Sequence, residues 1–261
     1  MHVHKVKAFV MAYWALILLS MIWGMAFVAI KAVEPDLNPV NITLLRWFLD
    51  SLGLAVLAPF FGKFKTKFDR RDVPRFLMVS LANVVLYHLT LNYSESSISA
   101  GMAVLLTSLG PVFILILSRI ILHEKLGKEM ILILVLALSG AAVLSFDADY
   151  SSAGGNSFPG ILEAIGTAAS YSIFAVFSKP LVQKYGALPV TIWVGLTGTA
   201  MLFPLLSHGF VAQVASLPID SWLAMLYLSM VSTVIGYTMF YILSTGERYQ
   251  DFRYSSTSYH L

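Results

Sequence analysis

Long apolar runs alternate with short polar connections along the whole chain. The runs occupy about 9–31, 41–61, 75–93, 98–122, 128–146, 160–178, 187–207 and 219–243. As a helix, each is long enough to cross a ~30 Å hydrocarbon core. None alternates with period two, and all exceed the ~10 residues of a barrel strand. The pattern therefore predicts an all-α, polytopic membrane helix bundle of about eight spans. The first run, from Ala8 to Ala32, is too long for a signal-peptide core and lacks a small-residue cleavage site, so it reads as a retained helix.

Composition points the same way. Apolar residues make up 58% of 261 positions, charged residues only 12%, and mean hydropathy is +0.78. A soluble domain carries about 25% charged residues, so lipid is the expected solvent and partner. The formal net charge of +3 is no argument for nucleic acid, because the basic residues fall in the loops. With the N-terminus in the cytoplasm, every Lys and Arg except Lys31 and Arg46 lies on the cytoplasmic side. The opposite loops, around Glu34, Glu95, Asp147 and Asp220, contain neither residue. This is the positive-inside pattern of a multi-pass protein of the cell membrane. The chain has no cysteine, so disulfides and thiolate chemistry are excluded.

A weak internal repeat is visible. Trp23, Phe27 and Lys31 in the first span share their spacing with Tyr171, Ala175 and Lys179 in the sixth. Pro39-Val40 opens the second span as Pro189-Val190 opens the seventh, and Tyr87 in the third matches Tyr237 in the eighth. Five helices per copy is an odd number, so the second copy enters from the other side, an inverted-topology repeat. The expected organisation is a five-helix repeat over 1–146, an incomplete three-helix repeat over 160–243, and a polar, disordered tail over 244–261. Eight of an expected ten helices are then present. A homodimer is one arrangement that would cover the missing walls, although no sequence feature asks for it.

Several motifs in order resemble the EamA-type members of the drug/metabolite transporter superfamily. They are Trp23-Gly24-Met25-Ala26-Phe27-Val28-Ala29-Ile30-Lys31 with Pro39 and Leu45-Arg46-Trp47, then Ser99-Ala100-Gly101-Met102-Ala103 with Gly110-Pro111-Val112-Phe113. His123-Glu124-Lys125-Leu126 and Gly236-Tyr237 continue the series. The resemblance covers about residues 10–243. It implies ten helices in two inverted halves around a central cavity, and transport of small metabolites without ATP hydrolysis. The stretch after Leu243 departs from that pattern, so a truncated, non-transporting membrane protein is the alternative reading.

Polar residues inside spans are costly and usually face protein or a water-filled cavity. Arg46 and Asp50 share one helix face, where they form either a structural pair or a site with Arg46 holding an anionic group. Glu163, one turn into the sixth span, is a candidate proton-coupling carboxylate or an interfacial residue. Asn83 and Tyr87 share a face of the third span, while Trp23, Tyr171 and Tyr237 offer aromatic surface. These seven residues, Trp23, Arg46, Asn83, Tyr87, Glu163, Tyr171 and Tyr237, are the candidate substrate-binding set. His88 is expected as a hydrogen-bonded core histidine, and Lys31 as a side chain snorkelling to headgroups. Gly110-Pro111 is expected to permit a kink. His123-Glu124 lacks a second zinc-ligating His, and neither a Walker loop nor Gly-x-Ser-x-Gly occurs. The reading is a secondary transporter, an exporter or exchanger of small organic metabolites, with no cofactor, metal or catalytic residue.

Overall fold

The computed structural model describes residues 2–57, 68–121, 157–206 and 208–245, with a few isolated positions between 123 and 139. The described residues are helical, with no strand among them. Helix α1 runs His2–Val33 and α2 Pro39–Leu57. Then come α3, Arg70–Ser97, and α4, Gly101–Ile121. After the undescribed stretch follow α5, Phe158–Tyr185, α6, Ala187–Leu202, the short α7, Phe210–Ala215, and α8, Ile219–Phe240. Among the described residues six helices are long and apolar enough to cross a membrane. The expected fifth span, 128–146, and most of the polar tail lie outside the described residues.

Local sequence sets the helix ends. Ser157 caps α5, accepting a hydrogen bond from Gly160 N, with Pro159 in the first turn where its missing N–H costs nothing. Ser99 caps the start of α4 in the same way. Gly186, at φ +85°, separates α5 from α6, a backbone conformation that a side chain would strain. The break in α4 falls at Ser108–Leu109, just before the Gly110-Pro111 pair that restarts the helix. There Ser172 Oγ donates to Gly110 O at 3.0 Å.

Two helices depart from regular α geometry. In α3 a π-helical stretch spans Leu81–Tyr87, and in α8 another spans Tyr227–Ile235. Such widened turns leave carbonyls out of the i→i−4 ladder and recur at functional sites. Here side chains five residues on reach back to two of them: His88 Nδ1 to Asn83 O at 2.7 Å, and Thr233 Oγ1 to Leu228 O at 2.8 Å. Neither stretch is legible in the hydropathy pattern, which sees only apolar length.

Packing brings the two ends of the sequence together. Helix α2 lies against α3, α6 and α8, α5 runs along α3 and α4, and α1 packs on α8. One apolar core joins Trp47, Phe76, Val84, Phe174, Val194 and Tyr237; a second joins Ile30, Ile42, Leu45, Leu91 and Leu228. Large apolar side chains such as Trp14, Met21, Val28, Ile120 and Leu162 stay on the outside. In water that surface would be a liability; facing lipid it is solvated.

Candidate substrate site

Between the two cores lies a small cavity of about 30 Å³. Its wall has an aromatic part, Trp23, Phe27, Tyr87, Tyr171 and Tyr237, an aliphatic part, Ala26, Ile30 and Leu91, and a polar part, Arg46 and Ser232. That volume holds one or two water molecules, so the site is too small for a metabolite in this conformation. Trp23 is the hub of the aromatic part. Its ring meets Tyr171 edge-on at 6.1 Å and Tyr237 at 5.7 Å, and its Nε1 donates to Ser232 O at 3.1 Å. Gly236 makes this approach possible, since a Cβ there would sit 2.7 Å from Trp23 Nε1.

Arg46 is 3% exposed. Its Nε donates to Thr233 Oγ1 at 2.9 Å and its Nη2 to Ser232 Oγ at 3.2 Å. Both acceptors lie in the π stretch of α8, so this irregular turn positions the guanidinium. Among the described residues no carboxylate forms an ion pair with Arg46. A buried guanidinium with no anion beside it is costly unless something else supplies the charge.

The Arg46–Asp50 pair is therefore corrected by the structure. The two share a helix face, but the basic residue precedes the acid, the weaker order for an i, i+4 pair. Arg46 instead reaches across to α8. Asp50 is fully buried, and neither of its carboxylate oxygens has a hydrogen-bond partner among the described residues.

Of the seven candidate residues the structure gathers Trp23, Arg46, Tyr87, Tyr171 and Tyr237 in the cavity wall. Asn83 and Glu163 lie outside it. Asn83 is buried within the π stretch of α3, and its backbone carbonyl serves His88. Glu163 is partly exposed on α5, with one buried oxygen unpartnered. His88 is the hydrogen-bonded core histidine expected, its ring edge-on to Trp47 at 4.9 Å.

Lys31 is part-exposed near the end of α1. It donates to the Glu34 carboxylate at 3.0 Å and to the backbone carbonyl of Glu95. Glu95 itself was placed in a loop by the pattern but is a fully buried residue of α3, with both oxygens unpartnered. Ser232 and Thr233 were also missed, because hydroxyls on an apolar helix carry no signal until their partner is known.

At the ends of α3 and α5 a polar network joins the two parts of the chain. Lys184 Nζ lies 2.6 Å from Asp72 Oδ2 and 3.1 Å from Asp69 Oδ2, and Tyr185 OH donates to Asp72 at 2.6 Å. Asp69 precedes the membrane-spanning part of α3. The N–H of Arg71 and then the Lys184 ammonium hold its carboxyl below the usual aspartate range.

Six membrane-length helices among the described residues, packed with α2 around a buried cationic and aromatic cavity, define a multi-pass membrane protein with an internal polar site. Comparison with known proteins gives the family. The chain belongs to the EamA-like transporter family, whose pattern it matches over residues 10–146 and 158–247. It is 32% identical over 182 residues to an "Uncharacterized transporter" of Archaeoglobus fulgidus, covering 69% of this chain and 62% of that one. It is 32% identical to the "Uncharacterized transporter YdfC" of Bacillus subtilis, covering 67% of this chain and 56% of that one. To a "Probable terminal-alkyne amino-acid exporter" of Streptantibioticus cattleyicolor it is 29% identical, covering 73% of this chain and 62% of that one. The aligned part thus spans less than two thirds of these relatives' own length. A solved crystal structure superposes with a TM-score of 0.63 over 90% of this chain and 79% of that one, at 18% identity, which shows the shared fold.

Proposed function

We propose that the protein is a secondary transporter of small carboxylate-bearing metabolites, an exporter or exchanger in the cell membrane with its N-terminus in the cytoplasm. The observation that carries this reading is Arg46. It is buried in the cavity wall, held by Ser232 and Thr233 through two of its three nitrogens, with no carboxylate paired to it among the described residues. A substrate carboxylate would supply the absent anion in a charge-assisted hydrogen bond. The aromatic wall would receive an apolar body beside that carboxylate. The amino-acid exporter among the relatives fits this chemistry, so L-amino acids are the first class to test.

Alternating access between inverted halves is the proposed mechanism. The matching π stretches in α3 and α8 support it, since they fall in the helices paired by Tyr87 and Tyr237. So does the small size of the cavity, which must enlarge on one side or the other to admit a metabolite. The proposed repeats remain 1–146 and 160–243. The Lys184–Asp69–Asp72 network would then be a latch between them.

Proteoliposomes loaded with unlabelled L-phenylalanine and diluted into labelled L-phenylalanine test this reading. Saturable counterflow, absent with phenethylamine, which lacks the carboxylate, is the expected result. Across a panel of L-amino acids and their decarboxylated amines, equal transport of acids and amines would refute the role of Arg46. No counterflow of any L-amino acid would refute the substrate class.

A further inference from the structure

We propose that Asp50 is a proton-binding site, filled in the present conformation, where the carboxyl is buried, and emptied when the site widens. The inference rests on the reading of Arg46 as the anchor for a substrate anion. Asp50 follows Arg46 by one helical turn and is 0% exposed, with Oδ1 and Oδ2 both unpartnered among the described residues. It lies against α6 where Gly195 has no side chain. A Cβ on Gly195 would stand 3.1 Å from Asp50 Oδ2 and 3.1 Å from Leu54 Cδ1. Glycine here lets the carboxyl fit between the helices, yet nothing in the fit supplies a hydrogen-bond donor.

The nearby hydroxyls are already committed. Thr199 Oγ1 donates to Trp47 O at 3.0 Å, which leaves Ser51 as the donor in the 2.8 Å Ser51–Thr199 contact. Neither has a proton to offer Asp50. Charged and titratable neighbours are few. Arg46 is on the same helix, with its side chain turned to α8. Helix α6 contributes no titratable residue. Helix α3 brings Tyr87, His88, whose Nδ1 is held by Asn83 O, and, towards its C-terminal end, Glu95; α8 brings Tyr227 and Tyr237.

An ionised carboxylate enclosed without donors pays a large solvation penalty, which the charge of Arg46, one turn away and hydrogen-bonded to α8, offsets only in part; a bound proton removes it. A metal cation is a poor occupant. Among the described residues no group of three His, Cys, Asp or Glu gathers anywhere, and sodium or a divalent ion needs several oxygens around it.

The consequence is a charge exchange. With Asp50 neutral, the positive charge of Arg46 is left for the substrate carboxylate. When that carboxylate leaves, Asp50 can release its proton to water and act as counter-ion to Arg46. Beyond Asp50 along α2, Leu54, Ile192 and Val234, with Leu188 and Met230, form an apolar plug. Movement of α6 and α8 away from α2 would open this plug and give the carboxyl a path to water. A substrate that carries its proton with it would leave the cell down its own gradient or by exchange.

Infrared difference spectroscopy of the 261-residue chain in liposomes tests the site without any substrate. At neutral pH the wild-type minus Asp50→Asn spectrum is expected to show a carboxylic-acid C=O band that shifts in D2O. The same band should persist in Glu95→Gln, whose own buried carboxyl is the internal comparison, and should be unaffected by replacing potassium with sodium. Asp50→Glu, which keeps the group, should retain a displaced band even if the Asn variant folds poorly. Absence of the band in the wild type, its persistence in Asp50→Asn, or its loss on adding sodium would overturn the proposal. A counterflow failure would not touch this readout, so the two readings fail separately.

Discussion

Gly198 of α6 meets Val84 in the π stretch of α3 so closely that a Cβ on the glycine would stand 2.3 Å from both Val84 Cβ and Cγ2, and 2.7 Å from Cγ1. Van der Waals contact needs about 3.5–4.0 Å between carbons. Gly198→Ala must therefore push the two helices apart by more than an ångström, since a β-branched side chain cannot rotate its own Cβ away. Overpacking of this kind costs about 1–3 kcal/mol, and the geometry places this site near the upper end. The gain from Ala over Gly within a helix, about 0.5–1 kcal/mol, offsets only part of it.

The second variant sharpens the argument. Val84→Ala leaves the Cβ in place and should rescue Gly198→Ala only slightly. Val84→Gly removes the clashing atom, and in that background Gly198→Ala should be neutral or mildly stabilising. Thermal unfolding in detergent, run as a double-mutant cycle, should give a coupling of about 2 kcal/mol. An equal Gly198→Ala penalty in both backgrounds would refute the close approach of α6 and α3.

Other expectations follow from the site and the latch. Gly236→Ala should displace Trp23 from Ser232 O, costing about 1–3 kcal/mol by overpacking, and Trp23→Phe, which lacks Nε1, should soften that penalty in thermal unfolding; no loss of stability would contradict the packing. Spin labels at Arg71→Cys and Gln183→Cys, introduced into a chain with no native cysteine, should report a broadened distance when Lys184→Met breaks the latch. Because the folded Asp69 carboxyl is held below its ordinary range, its contribution to the latch is full above the usual aspartate range and is lost only as pH falls through the lowered value. Acidification should therefore broaden the distance only below that range, and an unchanged distribution in Lys184→Met would refute the latch. Reporter fusions after Arg71 and Gly154 should be cytoplasmic and external respectively; the reverse at either site would remove the inverted-repeat argument.

The helices were legible because the bilayer imposes length and apolarity on every span, and both are written in the residues themselves. Five cavity-wall residues were legible too, since aromatic and charged residues inside spans have few uses. What the pattern missed depends on contacts across the sequence. Arg46 finds its partners 186 and 187 residues away, on Ser232 and Thr233, and no local spacing could have chosen them over Asp50. Glu95 was misplaced because a polar helix end looks like a loop when only hydropathy is counted. The π stretches were invisible for another reason: they change which backbone groups are paired while leaving composition unchanged.

The central claim, that Arg46 anchors the substrate carboxylate, is tested most directly by replacing its fork while keeping its charge. Lysine offers a point charge where arginine offers a planar pair of donors, and a hydrogen bond between charged groups contributes about 1.5–3 kcal/mol. Initial rates of L-phenylalanine counterflow should be measured for wild type and Arg46→Lys in proteoliposomes containing equal amounts of folded protein. A loss of about 10- to 100-fold in apparent affinity at unchanged protein abundance is expected. Unaltered affinity, or activity that falls only in step with the amount of folded protein, would contradict it.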